Sequence, residues 1–187
     1  NWEGIPIGAQ FDFCSAIANA GEARSRGAEL ELLYNLNDSL RMNMSSSYVD
    51  AELTEDAVAL GAVAGDRLPG SPRYNVSLGL EYSFNMGGND AYLRSDYAYV
   101  GGFYNNLQEA GSESGDYQKL NIKVGMRLNQ FDIDLYINNV TNEDSLTWID
   151  AAGFPRERGN PAASIHVRLS SLETLFIYRS ISNWFSL

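Results

Sequence analysis

The residues that could carry out acid–base chemistry are few in this chain of 187 residues. His166 is its one histidine, so a catalytic Ser-His-Asp triad would have to use that side chain. Asp132 and Asp134 stand two residues apart and could be imagined as paired catalytic carboxylates. Lys123 and Arg127 fall on the same predicted strand face, so charge pairing explains the two aspartates more simply. We therefore predict no catalytic residue and assign His166 to the polar face of the last strand.

The long connections between predicted strands hold the candidates for metal or ligand binding. Glu143, Asp144 and Asp150 lie in one such loop, but their spacing does not match a calcium-binding loop. We therefore predict no metal ion and no cofactor. Side chains that grip polar ligands by ring stacking and hydrogen bonding occur in two loops, and we predict as ligand-binding candidates Tyr104, Asn105, Asn106 and Trp148.

Composition excludes two classes of protein. The chain has 13 Lys and Arg against 24 Asp and Glu, a net charge of −11, which disfavours nucleic acid because phosphates would be repelled. No run approaches the ~20 consecutive apolar residues of a membrane-spanning helix, which excludes a helical membrane protein. Cys14 is the single cysteine, so it is either unpaired or has its partner in missing sequence. The start at Asn1 lacks the pattern of a signal peptide, and we interpret the chain as a fragment or a processed piece.

Alternation with a period of two is the strongest structural signal. In residues 73–84 every even position is apolar or aromatic and every odd position is polar, charged or glycine. Residues 119–128 and 131–138 repeat the pattern. Such alternation predicts an extended strand with one face in an apolar medium and the other in a polar one.

Residues 119–128 and 131–138 also agree in register. A two-residue turn at Asn129-Gln130 sets Leu128 opposite Phe131 and brings the two apolar faces together. On the other face, Arg127 falls opposite Asp132, a favourable cross-strand pair. We expect a charge at Val124, on the apolar face, to cost more than one at Gly125 on the polar face.

The whole chain divides into about eight such strands, each close to the ~9–11 residues that cross a membrane. Short turns near 37–39, 85–90 and 129–130 alternate with long connections near 14–26, 52–72, 102–116 and 141–161. Outer-membrane barrels follow this rule, because their periplasmic turns are short and their outer loops long. The sequence therefore predicts an all-β, antiparallel, up-and-down transmembrane barrel with strands at 2–13, 27–36, 40–51, 73–84, 91–101, 117–128, 131–140 and 162–171.

Three segments carry a resemblance to a known family. Residues 19–32 contain Asn19-Ala20-Gly21-Glu22-Ala23 and Gly27-Ala28-Glu29-Leu30-Glu31-Leu32. They are followed by Ala64-Gly65-Asp66-Arg67-Leu68-Pro69-Gly70-Ser71-Pro72 and by Tyr136-Ile137-Asn138-Asn139-Val140-Thr141-Asn142-Glu143. In order and spacing these segments resemble the C-terminal barrel region of TonB-dependent receptors.

The resemblance implies the closing part of a barrel of about 22 strands in the outer membrane of a Gram-negative bacterium. Such a receptor takes up a nutrient such as a ferric siderophore, cobalamin or another large solute. It also implies three partners: membrane lipid, an N-terminal plug domain and the TonB system. We assign residues 1–171 to the barrel and treat residues 172–187 as an atypical tail, because receptors of this family usually stop at the strand that 162–171 resembles.

Two other functions remain open at the level of sequence. A complete small eight-stranded outer-membrane barrel with a structural or adhesive role would satisfy the strand count. A soluble ligand-binding barrel would need the alternating apolar residues to point inward, and periodicity alone does not separate inside from outside.

Overall fold

The computed structural model describes residues 2–3, 6–11, 14–19, 21–109, 113–149, 157–171 and 177–181. Within these ranges β-strands are the main regular structure, as expected for alternating sequences, and the described helices are two 3-10 turns at Val58–Leu60 and Leu107–Glu109. No described helix is long and apolar enough to cross a membrane. The strands are β1 (Trp2–Glu3), β2 (Pro6–Phe11), β3 (Cys14–Asn19), β4 (Glu22–Asn35), β5 (Leu40–Leu53), β6 (Tyr74–Met86), β7 (Asn89–Val100), β8 (Phe103–Tyr104), β9 (Glu113–Ser114), β10 (Tyr117–Leu128), β11 (Phe131–Asn138), β12 (Leu146–Ile149), β13 (Glu157–Gly159), β14 (Ser164–Ser171) and β15 (Ile177–Ile181).

Nine of the described strands form one antiparallel sheet in the order β1-β4-β5-β6-β7-β10-β11-β14-β15. The long strands therefore follow one another up and down, which confirms the predicted topology. The remaining strands form three small hairpins, β2-β3, β8-β9 and β12-β13. The sheet is open in the described part of the chain, because β1 and β15 stand at its two ends without pairing to each other.

The predicted registers are confirmed. Leu128 pairs with Phe131, and Arg127 pairs with Asp132. Arg127 Nε lies 2.9 Å from Asp132 Oδ1, so the expected ion pair is made. The turn between β10 and β11 uses Asn129 in the left-handed region at φ 55°, a conformation that asparagine tolerates better than most residues.

The N-terminal part of the prediction is wrong in detail. Residues 2–13 do not form one strand: β1 pairs with β4, whereas β2 pairs with β3 in a separate hairpin. β4 also begins at Glu22, five residues before the predicted start at 27. Alternation shows where a strand is half-buried but not which neighbour it pairs with. In the sequence, β1 and the first strand of the hairpin β2-β3 therefore look like one continuous strand.

The turn between β6 and β7 is tighter than predicted. Residues 85–90 were expected to form the turn, but the strands continue to Met86 and resume at Asn89. Gly87 and Gly88 alone make the connection, at φ 61° and 83°. Both residues need positive φ in this kind of two-residue hairpin turn, which explains the glycine pair.

The C-terminal segment 172–187 contributes one more strand than predicted. β15 pairs antiparallel with β14, with Ile181 opposite Ile165 and Ile177 opposite Leu169. This strand extends the sheet beyond the last strand that the alternating pattern indicates.

The two faces of the sheet differ sharply in chemistry. The residues predicted to share the apolar face do so by register: Leu78, Leu80, Ile122, Val124, Ile133 and Leu135. Many side chains of this face are exposed, among them Leu30, Leu32, Tyr82, Leu93, Val124 and Leu135. An exposed apolar face of this extent is typical of a surface that contacts a membrane, another protein or a ligand.

Three long loops leave the same end of the sheet. The first long loop, 54–73, joins β5 to β6, the second long loop, 101–116, joins β7 to β10, and the third long loop, 139–163, joins β11 to β14. The second and third loops carry the small hairpins β8-β9 and β12-β13. All of the predicted ligand-binding residues lie in these loops.

Candidate functional site

The polar face of the sheet is organised around a buried carboxylate. Asp134 of β11 is only 3% exposed, although it lies on a face that is otherwise rich in polar groups. Its Oδ1 accepts a hydrogen bond of 2.6 Å from the Tyr92 hydroxyl, and its Oδ2 accepts bonds of 3.0 and 2.5 Å from Nε and Nη2 of Arg168. Lys123 Nζ lies 3.5 Å from Oδ1. A buried carboxylate needs this number of partners, because an unpaired charge is costly away from water.

A glycine makes this cluster possible. Gly125 of β10 stands between Tyr92 of β7 and Asp134 of β11 in the cross-strand register. A Cβ atom at Gly125 would lie 2.3 Å from Cε1 of Tyr92 and 2.5 Å from Oδ1 of Asp134. The tyrosine therefore reaches across β10 only because position 125 has no side chain. The prediction that a charge costs less at Gly125 than at Val124 stays a prediction, and an arginine at Gly125 would in addition have to displace the Tyr92 ring.

Aromatic rings hold the cluster's lysine in place. Lys123 Nζ lies 4.9 Å from the ring centroids of both Tyr92 and Tyr136. Arg168 approaches the Tyr136 ring at 5.7 Å. Such cation–π contacts add to the ion pairs and fix the direction of long, flexible side chains.

A second charge cluster lies beside the first on the same face. Arg94 binds Asp96 through Nε at 2.8 Å from Oδ2 and through Nη2 at 2.6 Å from Oδ1. It also reaches Glu81, at 3.4 Å from Oε2, and Asn43, at 3.4 Å from Oδ1. Gly79 again leaves room, since a Cβ atom there would lie 2.3 Å from Oδ1 of Asn43.

These contacts account for the residues that the sequence offered as possible acids or bases. Asp132 and Asp134 each have a cationic partner, as the charge-pairing hypothesis expected. His166 lies on the polar face opposite Tyr136, and its Nε2 is 2.9 Å from the Ser164 hydroxyl. These side chains together form a charged, hydrogen-bonded wall on the polar face of the sheet.

The ligand-binding candidates of the second long loop lie together. Tyr104 ends β8, and Asn105 and Asn106 follow it directly. Tyr104 pairs with Glu113 of β9, while Asn105 Nδ2 is 3.5 Å from the Ser114 hydroxyl. All three candidates are half-buried, so part of each side chain is available at the surface.

The fourth candidate lies in the neighbouring loop. Trp148 belongs to β12 and pairs with Arg158 of β13. The two loops are joined where the Gly115 N–H donates a 2.9 Å hydrogen bond to the Leu146 carbonyl. Backbone contact therefore brings the second and third long loops side by side, with candidates on both.

The family-like segment 136–143 forms the base of the third long loop. Asn139 is 2% exposed, and its Nδ2 donates 2.8 Å hydrogen bonds to the carbonyls of Glu143 and Pro161. Its Oδ1 accepts a 2.9 Å bond from the Glu143 N–H. One side chain thus ties together the beginning and the end of a loop of more than twenty residues.

The acidic residues of that loop do not form a metal site in the described part of the chain. Among the described residues, no three His, Cys, Asp or Glu side chains are placed to hold a metal ion. Glu143 instead accepts hydrogen bonds from the Ser145 hydroxyl at 2.5 Å and the Ser145 N–H at 3.0 Å. These bonds stabilise the carboxylate and lower the pKa of Glu143. Asp150 lies outside the described residues.

Residues 4–140 match the family model described as "TonB dependent receptor-like, beta-barrel". Two curated proteins are similar in sequence, the metal-pseudopaline receptors CntO of Pseudomonas aeruginosa strains UCBPP-PA14 and PAO1. Each is 31% identical over 151 residues, which cover 73% of this chain and 20% of the receptor. The chain thus spans 20% of the length of the curated relatives it matches.

Two solved structures share the fold. The ferric yersiniabactin uptake receptor FyuA of Yersinia pestis superposes with a TM-score of 0.69 at 17% identity, over 81% of this chain and 24% of that one. The ferric preacinetobactin receptor BauA of Acinetobacter baumannii superposes with a TM-score of 0.67 at 17% identity, over 88% of this chain and 25% of that one. At this identity the likeness shows the fold alone, which is an open up-and-down sheet matched to part of a receptor barrel.

Proposed function

Because the chain belongs to the TonB-dependent receptor family through its β-barrel region, we propose that it forms part of the outer-membrane barrel of a nutrient-uptake receptor. The apolar face of the sheet then meets lipid, and the charged wall around Asp134 and Arg94 lines the barrel interior. The observation that carries this proposal is the separation of the two faces across strands β4 to β14, in which apolar and aromatic side chains predominate on one face and charged and polar side chains on the other. The exceptions include Leu33 on the polar face and Ser95 on the apolar face.

The proposed partners follow from membership of the family. The interior wall would contact an N-terminal plug domain, and the TonB system of a Gram-negative cell would supply energy for uptake. Residues 1–171 would belong to the barrel region, and β15 of the segment 172–187 would add one more strand to its wall. None of these assignments calls for a catalytic group.

The proposed nutrient is a metal chelate of the siderophore or metallophore class. The support is the name of the CntO receptors, which are similar in sequence and bind a metal–pseudopaline complex. Cobalamin or another large solute is the broader alternative within the family. The proposed contact residues are Tyr104, Asn105, Asn106 and Trp148, since these residues belong to two adjoining loops.

Uptake by cells tests this function. A strain lacking the receptor is complemented with the full-length wild type or with Tyr104→Ala. Accumulation of metal-loaded pseudopaline and of a panel of ferric siderophores is measured at a series of chelate concentrations, which gives the apparent affinity. We expect one of these chelates to be accumulated, and about a fivefold to tenfold loss of affinity in the variant, because a stacking ring contributes about 1 kcal/mol. Tyr82→Ala, a tyrosine on the apolar face, is the matched control and should leave affinity unchanged. Equal losses in both variants would contradict the assignment of Tyr104.

The small complete barrel is the less favoured alternative. The described sheet does not close, and the strands at its ends present unpaired backbone groups that lipid does not satisfy. Refolding residues 1–187 in detergent separates the two readings. A compact, protease-resistant and heat-modifiable monomer would favour the small barrel, whereas recovery only in the presence of the remaining receptor strands would favour the larger one.

A further inference from the structure

The first and second long loops pack against each other over the polar face. A small apolar core lies between them, and its four residues are 4% exposed or less: Ala23 and Leu53 from the ends of β4 and β5, and Ala57 and Ala62 from the first loop. Leu107 of the second loop packs against this core. Ala23 and Leu53 pair in register on the same face as Asn43. The core therefore covers the loop end of the polar face.

The first long loop folds back on β5 through its family-like segment. The Leu53 N–H donates to the Asp66 carbonyl, and the Gly65 and Leu68 N–H groups donate to the carbonyls of Leu53 and Ala51, each at 2.9 Å. Asp66 Oδ2 also accepts a 2.9 Å bond from the Val63 N–H. The segment 65–68 is thereby fixed to the rigid sheet.

Four contacts then join the second loop to the first. The Gly70 N–H donates a 2.7 Å hydrogen bond to the carbonyl of Tyr104. Arg67 Nη1 lies 3.6 Å from Glu109 Oε1. The same guanidinium is held within the first loop, where its Nη2 donates a 3.1 Å bond to the Ser71 carbonyl. The Gln108 side-chain amide donates to the Gly61 carbonyl, and Leu107 packs against the apolar core. These contacts hold the second loop at Tyr104 itself and directly after Asn106, at residues 107–109.

We infer that the first long loop and residues 101–109 of the second form one rigid lobe, and that Arg67 is a positioning residue for the segment that carries Tyr104, Asn105 and Asn106. Arg67 stands on the part of the first loop that is bonded to β5, and its guanidinium ties that part to both Ser71 and Glu109. The value of this positioning for nutrient binding rests on the proposed function, whereas the rigidity of the lobe does not.

Spin labels on the two loops test the inference without any nutrient. In the full-length receptor, with Cys14→Ser and any other native cysteines replaced, labels are attached at Val58→Cys and Asn106→Cys, and the distance distribution between them is measured. Val58 is 84% exposed in the first loop, so a label there is tolerated. A rigid lobe predicts one narrow distribution.

Arginine variants then separate positioning from general disturbance. Arg67→Ala should widen the distribution about twofold, because loss of the tie allows local opening of the second loop, and Arg67→Lys should restore much of the narrow distribution through Glu109. Arg73→Ala is the matched control, since Arg73 of the same loop pairs with Asp50 at 3.6 Å and makes no ion pair with the described residues of the second loop.

Two distance distributions test the two parts of the inference separately. A broad distribution in the parent receptor would overturn the rigid lobe, and an unchanged narrow distribution in Arg67→Ala would overturn the role of Arg67. Heat modifiability of each variant confirms that the barrel is folded. Uptake is measured on the receptor that retains Asn106 and carries no label: if it takes up no metal chelate while its labelled form shows the narrow distribution, the proposed function is refuted and the lobe stands.

Discussion

The Tyr92 hydroxyl donates its 2.6 Å hydrogen bond to Asp134 across a strand to which neither residue belongs. The ring passes over Gly125, so β7, β10 and β11 are joined by one side-chain contact. Arg168 of β14 binds the same carboxylate and adds a fourth strand. The register of four strands is therefore coupled through a single buried aspartate.

Gly125→Ala should destabilise the receptor, because the added Cβ displaces the Tyr92 ring and breaks its bond to Asp134. We expect a cost of about 1–3 kcal/mol, as for other over-packed sites. In a Tyr92→Ala background the same change should cost less, because the clash with the ring is gone and only the Asp134 carboxylate has to shift. Urea unfolding of all four proteins in lipid vesicles gives the coupling energy, and additive effects would contradict the contact.

Asp134→Asn should cost more than Asp96→Asn. Both carboxylates bind an arginine on the same face, but the Asp134 side chain is 4% exposed and that of Asp96 is 41% exposed. Loss of the buried charge leaves Lys123 and Arg168 without their counter-ion, which we expect to cost about 1–3 kcal/mol, against less than about 1 kcal/mol at the exposed site. Unfolding midpoints in vesicles measure both values. Similar losses would mean that burial does not set the importance of the cluster.

Leu78→Arg should impair membrane insertion, whereas Ser77→Arg should not. The two residues are neighbours on β6 and lie at nearly the same depth, but on opposite faces. A charge in mid-bilayer costs about 2–4 kcal/mol, and an interior position hydrates it. Ser77 pairs with the small residues Ser45 and Ala98. An arginine there avoids the crowding by Tyr92 and Asp134 that it would meet at Gly125. Folded fractions in vesicles measure the difference, and a larger loss for Ser77→Arg would reverse the two faces.

Asn139→Asp should loosen the third long loop. The change removes the amide donor that binds the Glu143 and Pro161 carbonyls, and leaves a buried carboxylate beside them, at a cost of about 1–3 kcal/mol. Limited proteolysis between residues 140 and 163 should become faster while the barrel stays intact. Asn138→Asp, one residue earlier, is the matched control. Equal protection of both variants would show that Asn139 does not fasten the loop.

The sequence predicted the sheet better than it predicted the site. Alternation and turn chemistry are local, so the pairing of Arg127 with Asp132 across a two-residue turn followed directly from residue order. The crossing of Tyr92 over Gly125 did not, because β7 and β10 are separated by the second long loop, and their register depends on the folding of that loop.

The packing of the first two long loops into a lobe could not be predicted from the sequence either. Its core is largely alanine, with Ala23, Ala57 and Ala62 scattered over forty residues, and such a core has no periodic signal. The segment Ala64–Pro72 was noticed only as a family resemblance. In the structure, Asp66, Arg67 and Gly70 of this segment each make a loop-fastening contact.

Accessibility of single spin labels along β6 tests most directly whether this sheet spans a membrane. Labels at Val76, Ser77, Leu78, Leu80 and Glu81 of the full-length receptor in lipid vesicles are exposed in turn to oxygen, which concentrates in lipid, and to a water-soluble nickel complex. The barrel assignment predicts strong relaxation by oxygen at Val76, Leu78 and Leu80, and relaxation by the nickel complex at Ser77 and Glu81. Equal accessibility at all five positions, or the opposite alternation, would contradict a lipid-facing apolar surface.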